Sequence, residues 1–141
     1  MADEATNITL LGNNGNIIQV TVATGTAIAK GTLMVIDSSP NTAVASAGAN
    51  ELFIGIAAFE KSATDGVTEM SVITHCVADL TCGAGESMTL GNTVMTGAAA
   101  NEVTVSDDAT VEGSAQVVGI ALETVAGNGS GAVLINVGKQ W

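Results

Sequence analysis

Two nearly identical stretches decide the fold of this chain: Ile54-Gly55-Ile56-Ala57 and Val118-Gly119-Ile120-Ala121. Upstream of each lies a glycine turn with an apolar run. Downstream lies a polar, glycine-bearing turn that leads into another β-rich run, at residues 68–73 and 132–137. Because the distance between turn and strand differs between the copies, the sequence predicts a degenerate duplication of one β-unit within one domain.

Short segments rich in β-branched residues recur along the chain between turn residues, and no stretch shows a convincing helical period. Near the N-terminus, Ile18, Val20 and Val22 alternate with polar residues and are expected on one buried face of a strand. A strand is also predicted at residues 87–90, and one helical turn at residues 106–113. The pattern as a whole predicts an all-β fold, a small β-barrel or β-sandwich built from two related β-units.

The chain has the length of one ordinary domain, at 141 residues. Residues 1–16 have too little apolar surface to fold alone, so we expect an extended, flexible N-terminal arm. Residues 17–141 are predicted to form a single β domain. Its two units span about residues 17–80 and 81–141.

The charge balance argues against two classes of partner. Fourteen acidic side chains face three lysines and no arginine, for a formal net charge of −11. Nucleic acids and anionic membranes are both bound through basic side chains, so we expect no nucleic-acid partner and no membrane partner. The acidic N-terminus lacks the basic and apolar regions of a signal peptide, which predicts that the chain is made and retained inside a cell or leaves it by a route other than general secretion.

Few residues offer catalytic or metal-binding chemistry. His75 is the only histidine, and a half-buried strand residue is a simpler interpretation than a general base. Cys76 and Cys82 with Asp79 include zinc-ligand types, but no second cluster completes a site, which favours buried thiols. A disulfide between the two cysteines is conceivable across a hairpin, although the expected compartment argues against it.

Other motifs also favour structure over chemistry. Asp107, Asp108 and Glu112 lack the ligand spacing of a calcium loop. The glycine-rich stretches at residues 83–85 and 127–131 precede no helix that could cradle a phosphate, so we interpret them as hairpin loops. Aromatic residues make up only 2% of the chain, which leaves little for sugars to stack on. We therefore predict no enzymatic activity, no metal and no cofactor.

Two features predict contacts with other proteins. The arm carries an apolar group, Ile8, Leu10 and Leu11, that strands of a partner could order by strand addition. Trp141 is the largest apolar side chain, and it is a candidate for a subunit contact or for the core.

The arrangement of these elements resembles the small capsid cement, or head decoration, proteins of tailed phages and related viruses. The matching segments are residues 29–36, 54–57, 83–86 and 118–121, within residues 17–137. The resemblance implies a β-rich, non-catalytic virion protein that sits as a homotrimer on the outer surface of a mature icosahedral capsid. It also implies that the N-terminal arm pairs with strands of the major capsid protein. This chain departs from the shortest family members around residues 101–113, where its second unit is longer.

Three other functions stay open at this stage. The first is a different virion surface protein, such as a fibre or spike subunit. The second is a carbohydrate-binding adhesive module. The third is a small hydrolase built around His75.

Overall fold

We describe a computed structural model of the chain at residues 4–8, 16–106 and 116–137. Within these ranges every regular secondary-structure element is a β-strand, so the predicted all-β class is confirmed. The strands, in chain order, are β1 (Thr6–Ile8), β2 (Asn16–Thr21), β3 (Leu33–Ile36), β4 (Ala43–Ala45), β5 (Phe53–Ala57), β6 (Glu69–Cys82), β7 (Thr93–Thr96), β8 (Glu102–Val105), β9 (Val117–Ala121) and β10 (Ser130–Asn136).

The longest strand, β6, joins the two halves of the sheet. Its first half pairs antiparallel with β2, and its second half pairs antiparallel with β10. The register with β2 shifts beside Thr74, because Asn16 lies opposite His75 and Ile17 lies opposite Ile73. The strand runs on past the predicted unit boundary between residues 80 and 81, so both halves share it.

The second half of the chain forms a closed five-stranded barrel. Its strands follow the order β10, β9, β7, β8 and β6, and β6 closes the ring by pairing with β10. Strand β8 runs parallel to β6, with Thr81 opposite Glu102. Aliphatic side chains fill this barrel, which buries their surface from water; they include Leu80, Met88, Val94, Val103, Val118 and Val133.

The first half repeats this arrangement but leaves it open. Strands β4, β3, β5 and β6 pair in sequence, and β2 pairs with β6. Between β2 and β4 the described residues make a single bridge, Thr21 to Thr42, instead of a ladder. A separate apolar cluster fills this half; it comprises Val20, Val22, Ile28, Met34, Ala43, Ile54, Ala57, Met70 and Val72.

The backbone hydrogen bonds show that the two halves are copies of one unit. Ile28 and Lys61 exchange both backbone bonds, and Met88 and Val125 do the same at the corresponding place in the second half. The amide of Gly31 donates to Ala57, as that of Gly91 donates to Ala121. Both glycines have positive φ, at 86° and 84°, which only glycine adopts readily.

Close strand contacts account for the repeated Gly-Ile-Ala stretch. In β5 the residue before Gly55 is an extra residue opposite β3, and in β9 the residue before Gly119 is an extra residue opposite β7. Such bulges bend a strand and bring its backbone close to a neighbour. A Cβ on Gly55 would overlap the carbonyl oxygen of Ile73, and one on Gly119 would overlap that of Leu134. Both glycines are therefore required by the packing of the sheet.

Several expectations differ from the structure. Residues 87–90 form no strand; Met88 makes only an isolated bridge to Val125. On β2, Val20 and the following Val22 are buried as predicted, but Ile18 is 43% exposed, because the open side of the first half leaves it uncovered. Of the predicted helical turn at residues 106–113, only Ser106 lies within the described residues.

Candidate interaction surface

The residues with reactive side chains are built into the sheet. His75 is half-buried in the middle of β6, with Asn16 of β2 and Asn136 of β10 opposite it in the register. Cys76 and Cys82 lie on the same strand, both buried and both free. They are six positions apart along an extended strand, which places them about 20 Å from each other, far beyond the reach of a disulfide.

Burial makes both thiols poor nucleophiles. It raises the pKa of Cys76 to about 11. Burial also raises the pKa of Cys82, and the nearby carboxylates of Glu86 and Glu102 raise it further. Because the thiolate is the reactive form of cysteine, a raised pKa leaves both side chains inert at neutral pH.

The glycine-rich stretch at residues 83–85 is occupied by the chain's own carboxylate. Oε2 of Glu86 accepts a hydrogen bond from the amide of Gly83 at 3.1 Å, and Oε1 accepts one from the amide of Ala98 at 2.8 Å. A second carboxylate, that of Glu102, lies against Gly83. These charges would repel an added phosphate. This stretch leaves β6 and connects to β7, with which β6 does not pair, so it is not the hairpin loop that we predicted.

A buried lysine organises one end of the first half. The side chain of Lys61 donates hydrogen bonds to the carbonyl oxygens of Ala23 at 3.0 Å, Thr24 at 3.1 Å and Thr26 at 2.7 Å. Asp65 lies 3.9 Å from the ammonium group. These contacts hold the loop that follows β2, and Lys61 therefore has a structural role.

No metal site is evident in the part of the chain that the structure describes, since no three His, Cys, Asp or Glu side chains there are grouped to hold an ion. Asp107, Asp108 and Glu112 lie outside the described residues. Within the described ranges, no helix is long and apolar enough to cross a membrane.

The most distinctive surface feature is an apolar groove on the open side of the first half. Its volume is about 240 Å³. Two isoleucines that line it are exposed to solvent, Ile18 at 43% and Ile36 at 46%. We call this feature the β2–β4 groove; its lining comprises Ile18, Gln19, Val20, Ile36, Asn41, Thr42 and Ile54. Contiguous exposed apolar residues of this kind mark interaction surfaces more often than scattered ones do.

In the second half of the molecule, the position that corresponds to this groove is covered by a strand. There, β1 pairs antiparallel with β6, with Thr6 opposite Asp79 and Ile8 opposite Val77. Strand β10 pairs with the same β6 residues, so β1 takes the other edge, beside β8. Ala5, just before β1, is buried and donates a hydrogen bond of 2.6 Å to the carbonyl oxygen of Gly31.

The predicted contact residues are only partly placed by this structure. Ile8 lies in β1, so this part of the predicted arm is a strand of the chain's own sheet. Its backbone pairs with β6, along the edge of β6 that faces away from β10. Leu10, Leu11 and Trp141 lie outside the described residues. Whether any of these four residues contacts another protein stays a prediction.

Comparison with known proteins adds one finding. No protein-family model matches the chain, and no curated protein matches its sequence. Among solved structures, the chain is similar to the crystal structure of the head fiber gp8.5 N base in bacteriophage phi29. The two share 16% identity with a TM-score of 0.54, over 86% of this chain and 93% of that chain. This likeness is one of fold.

Sequence reasoning did not identify the β2–β4 groove. It interpreted Ile18 as core, because alternation reports which residues share a face and not whether that face is covered. A signal was present in the repeat. Ile18 and Ile36 correspond to Ala78 and Thr96 in the second half, so the first copy has larger apolar side chains around an uncovered position.

Proposed function

We propose that this chain is a non-enzymatic structural protein of a tailed-phage virion, and that it decorates the outer surface of the mature capsid. The observation that supports this best is the fold likeness to the base of a phage head fibre, which spans most of both chains. The resemblance of the two-unit sequence to capsid decoration proteins points the same way. Fold alone does not determine function, so the proposal also depends on the surface.

The surface chemistry fits a protein that binds other proteins. Cys76 and Cys82 are buried in the sheet and His75 is half-buried there, whereas the β2–β4 groove presents apolar side chains to solvent. The net charge of −11 would keep free copies apart in solution. Together these properties suit a soluble subunit that is added to a completed shell.

In this proposal the chain acts as a homotrimer and stabilises the shell by bridging neighbouring copies of the major capsid protein. Each contact is weak alone. Several contacts made by one trimer raise the local concentration of the others, so that binding becomes steep in protein concentration. Residues 9–15 and Trp141 would supply contacts to the shell and between subunits.

A second candidate is the base of a head fibre. The fold likeness to the head fibre base of bacteriophage phi29 favours it directly. The two functions differ in what they do to the shell: a decoration protein covers many equivalent positions and stabilises the lattice, whereas a fibre base occupies its positions in order to carry a further structure.

Co-sedimentation with shells of the virus that encodes the chain tests the proposal. Purified chain would be mixed with mature and with unexpanded shells, and the bound copies would be counted. We expect saturable binding to mature shells only, together with a higher temperature of shell disruption. Saturable binding without any stabilisation would favour the fibre base, and no binding to either shell would contradict both functions.

A further inference from the structure

The β2–β4 groove lies along an edge of β2 to which no other described strand is paired. Strand β2 pairs with β6 along one edge. Along its other edge, the described residues make only the bridge from Thr21 to Thr42. The backbone of residues 16–20 therefore faces the groove with its hydrogen-bonding edge, and an unpaired edge of this kind is a template for another strand.

The second half of the molecule provides the precedent. By the internal repeat, β2 corresponds to the second half of β6, and residues 17–19 correspond to residues 77–79. In the second half, β1 pairs with residues 77–79 along the edge of β6 that corresponds to the open edge of β2. An extended segment thus pairs at this position in the second half, whereas none of the described residues pairs at the corresponding position in the first half.

We propose that the β2–β4 groove receives an extended segment of the capsid protein, added antiparallel to β2 beside residues 17–19. The segment would carry an apolar side chain that packs between Ile18 and Ile36 above Ile54. It would be free of carboxylates near this contact, given the acidity of the chain. This inference rests on the proposed function, because it names the part of the chain that holds the shell.

A second copy of the chain is a poorer occupant for two reasons. Its segment best suited to the position, β1, is already paired with its own β6, and Ala5 is bonded to Gly31 of its own fold. Two copies also bring a formal charge of −11 each, which opposes close contact unless other interactions offset it. Strand addition from a different protein meets neither obstacle.

The test compares two double variants of the full chain in shell co-sedimentation. The groove variant is Ile18→Ser with Ile36→Ser. The control variant is Phe59→Ser with Leu90→Ser, which removes two exposed apolar side chains outside the groove. We expect the control to bind like wild type and the groove variant to bind at least about tenfold more weakly, as lost apolar contact implies. Thermal unfolding of both variants shows whether each is folded.

A second measurement does not depend on any substitution. Hydrogen exchange of the wild-type chain, free and on shells, reports whether the amides of β2 that point away from β6 become protected. Protection of β2 with reduced binding of the groove variant supports the inference. Unchanged exchange there, or equal binding by both variants, overturns it while leaving the proposed function intact.

The same variants separate the two possible occupants. If the groove variant loses self-association in sedimentation velocity without shells, the occupant is a second copy and the proposal is overturned. If wild type fails to bind shells at all, the proposed function fails, and the inference falls with it.

Discussion

The backbone amide of Leu33 donates a hydrogen bond of 2.9 Å to Oδ1 of Asn101, and this buried contact joins the two halves of the molecule. The amide of Asn101 in turn donates to Oγ of Ser46 at 3.1 Å. Asn101 has a φ of 62°, a conformation that asparagine tolerates better than most residues. Asn101 thus shapes a turn of the second half with its backbone and accepts a hydrogen bond from a strand of the first half with its side chain.

Replacing Asn101 is expected to destabilise the fold substantially. Asn101→Ala leaves the buried amide of Leu33 without an acceptor and places alanine at positive φ, so we expect the free energy of unfolding to fall by about 2–4 kcal/mol. The matched control is Asn41→Ala. Asn41 occupies the same place in the first half with a φ of 55°, and it is exposed. For Asn41→Ala, the free energy of unfolding should fall by only about 1 kcal/mol, the cost of placing alanine at positive φ. Equal losses in urea denaturation would show that the contact to Leu33 contributes nothing.

The two repeated glycines should be the least replaceable residues in the sheet. Gly55→Ala and Gly119→Ala each bring a methyl group against a backbone carbonyl oxygen, which can be relieved only by shifting a paired strand. We expect each to cost more than about 3 kcal/mol, or to prevent folding. Gly25→Ala is the control, because no atom lies within 4 Å of its added Cβ, and its effect should stay within about 0.5 kcal/mol. A comparison of soluble yield and urea midpoints checks all three.

The sequence predicted the structure best where the conformation depends on neighbouring residues in the chain. Residues 102–105 alternate between polar and apolar side chains and form β8, and the repeated Gly55 and Gly119 indicated two copies of one unit. In contrast, residues 87–90 have strand composition but form a single bridge, because turns with positive φ at Gly85 and Gly91 flank them.

The open side of the first half could not be read from the sequence. Whether the edge of a strand is covered depends on a segment distant in the chain, as β1 covers β6 in the second half. Local patterning carries no information about that partner. Lys61 was missed for a similar reason, since its carbonyl partners come from a loop far away in the sequence. Its counterpart in the second half is Val125, and this difference was the available signal.

Lys61 should stabilise the fold through its hydrogen bonds. Lys61→Met keeps the length of the side chain but removes the donor to the carbonyl oxygens of Ala23, Thr24 and Thr26. Hydrogen bonds to charged groups are worth more than neutral ones, so we expect a loss of about 2 kcal/mol in unfolding free energy. Lys30→Met is the control, because Lys30 is exposed, and it should change stability by less than about 0.5 kcal/mol. Equal effects of the two substitutions would contradict the role given to Lys61.

The buried thiol of Cys76 should make the fold sensitive to alkaline pH. Its pKa in the folded chain is about 11, against an ordinary value of 9.0. The folded state therefore keeps this proton at pH values where the unfolded chain has released it. The corresponding stability is fully present below about pH 9 and is lost as the pH rises through about 11.

Cys76→Ala removes this contribution. Although the variant is less stable overall because of the cavity, its unfolding free energy should fall less steeply between these pH values than that of wild type. Val77→Ala, a truncation of the adjacent buried residue without a titrating group, should run parallel to wild type. Urea titrations across this pH range decide the point, and parallel profiles for all three proteins would show that Cys76 does not titrate differently on folding.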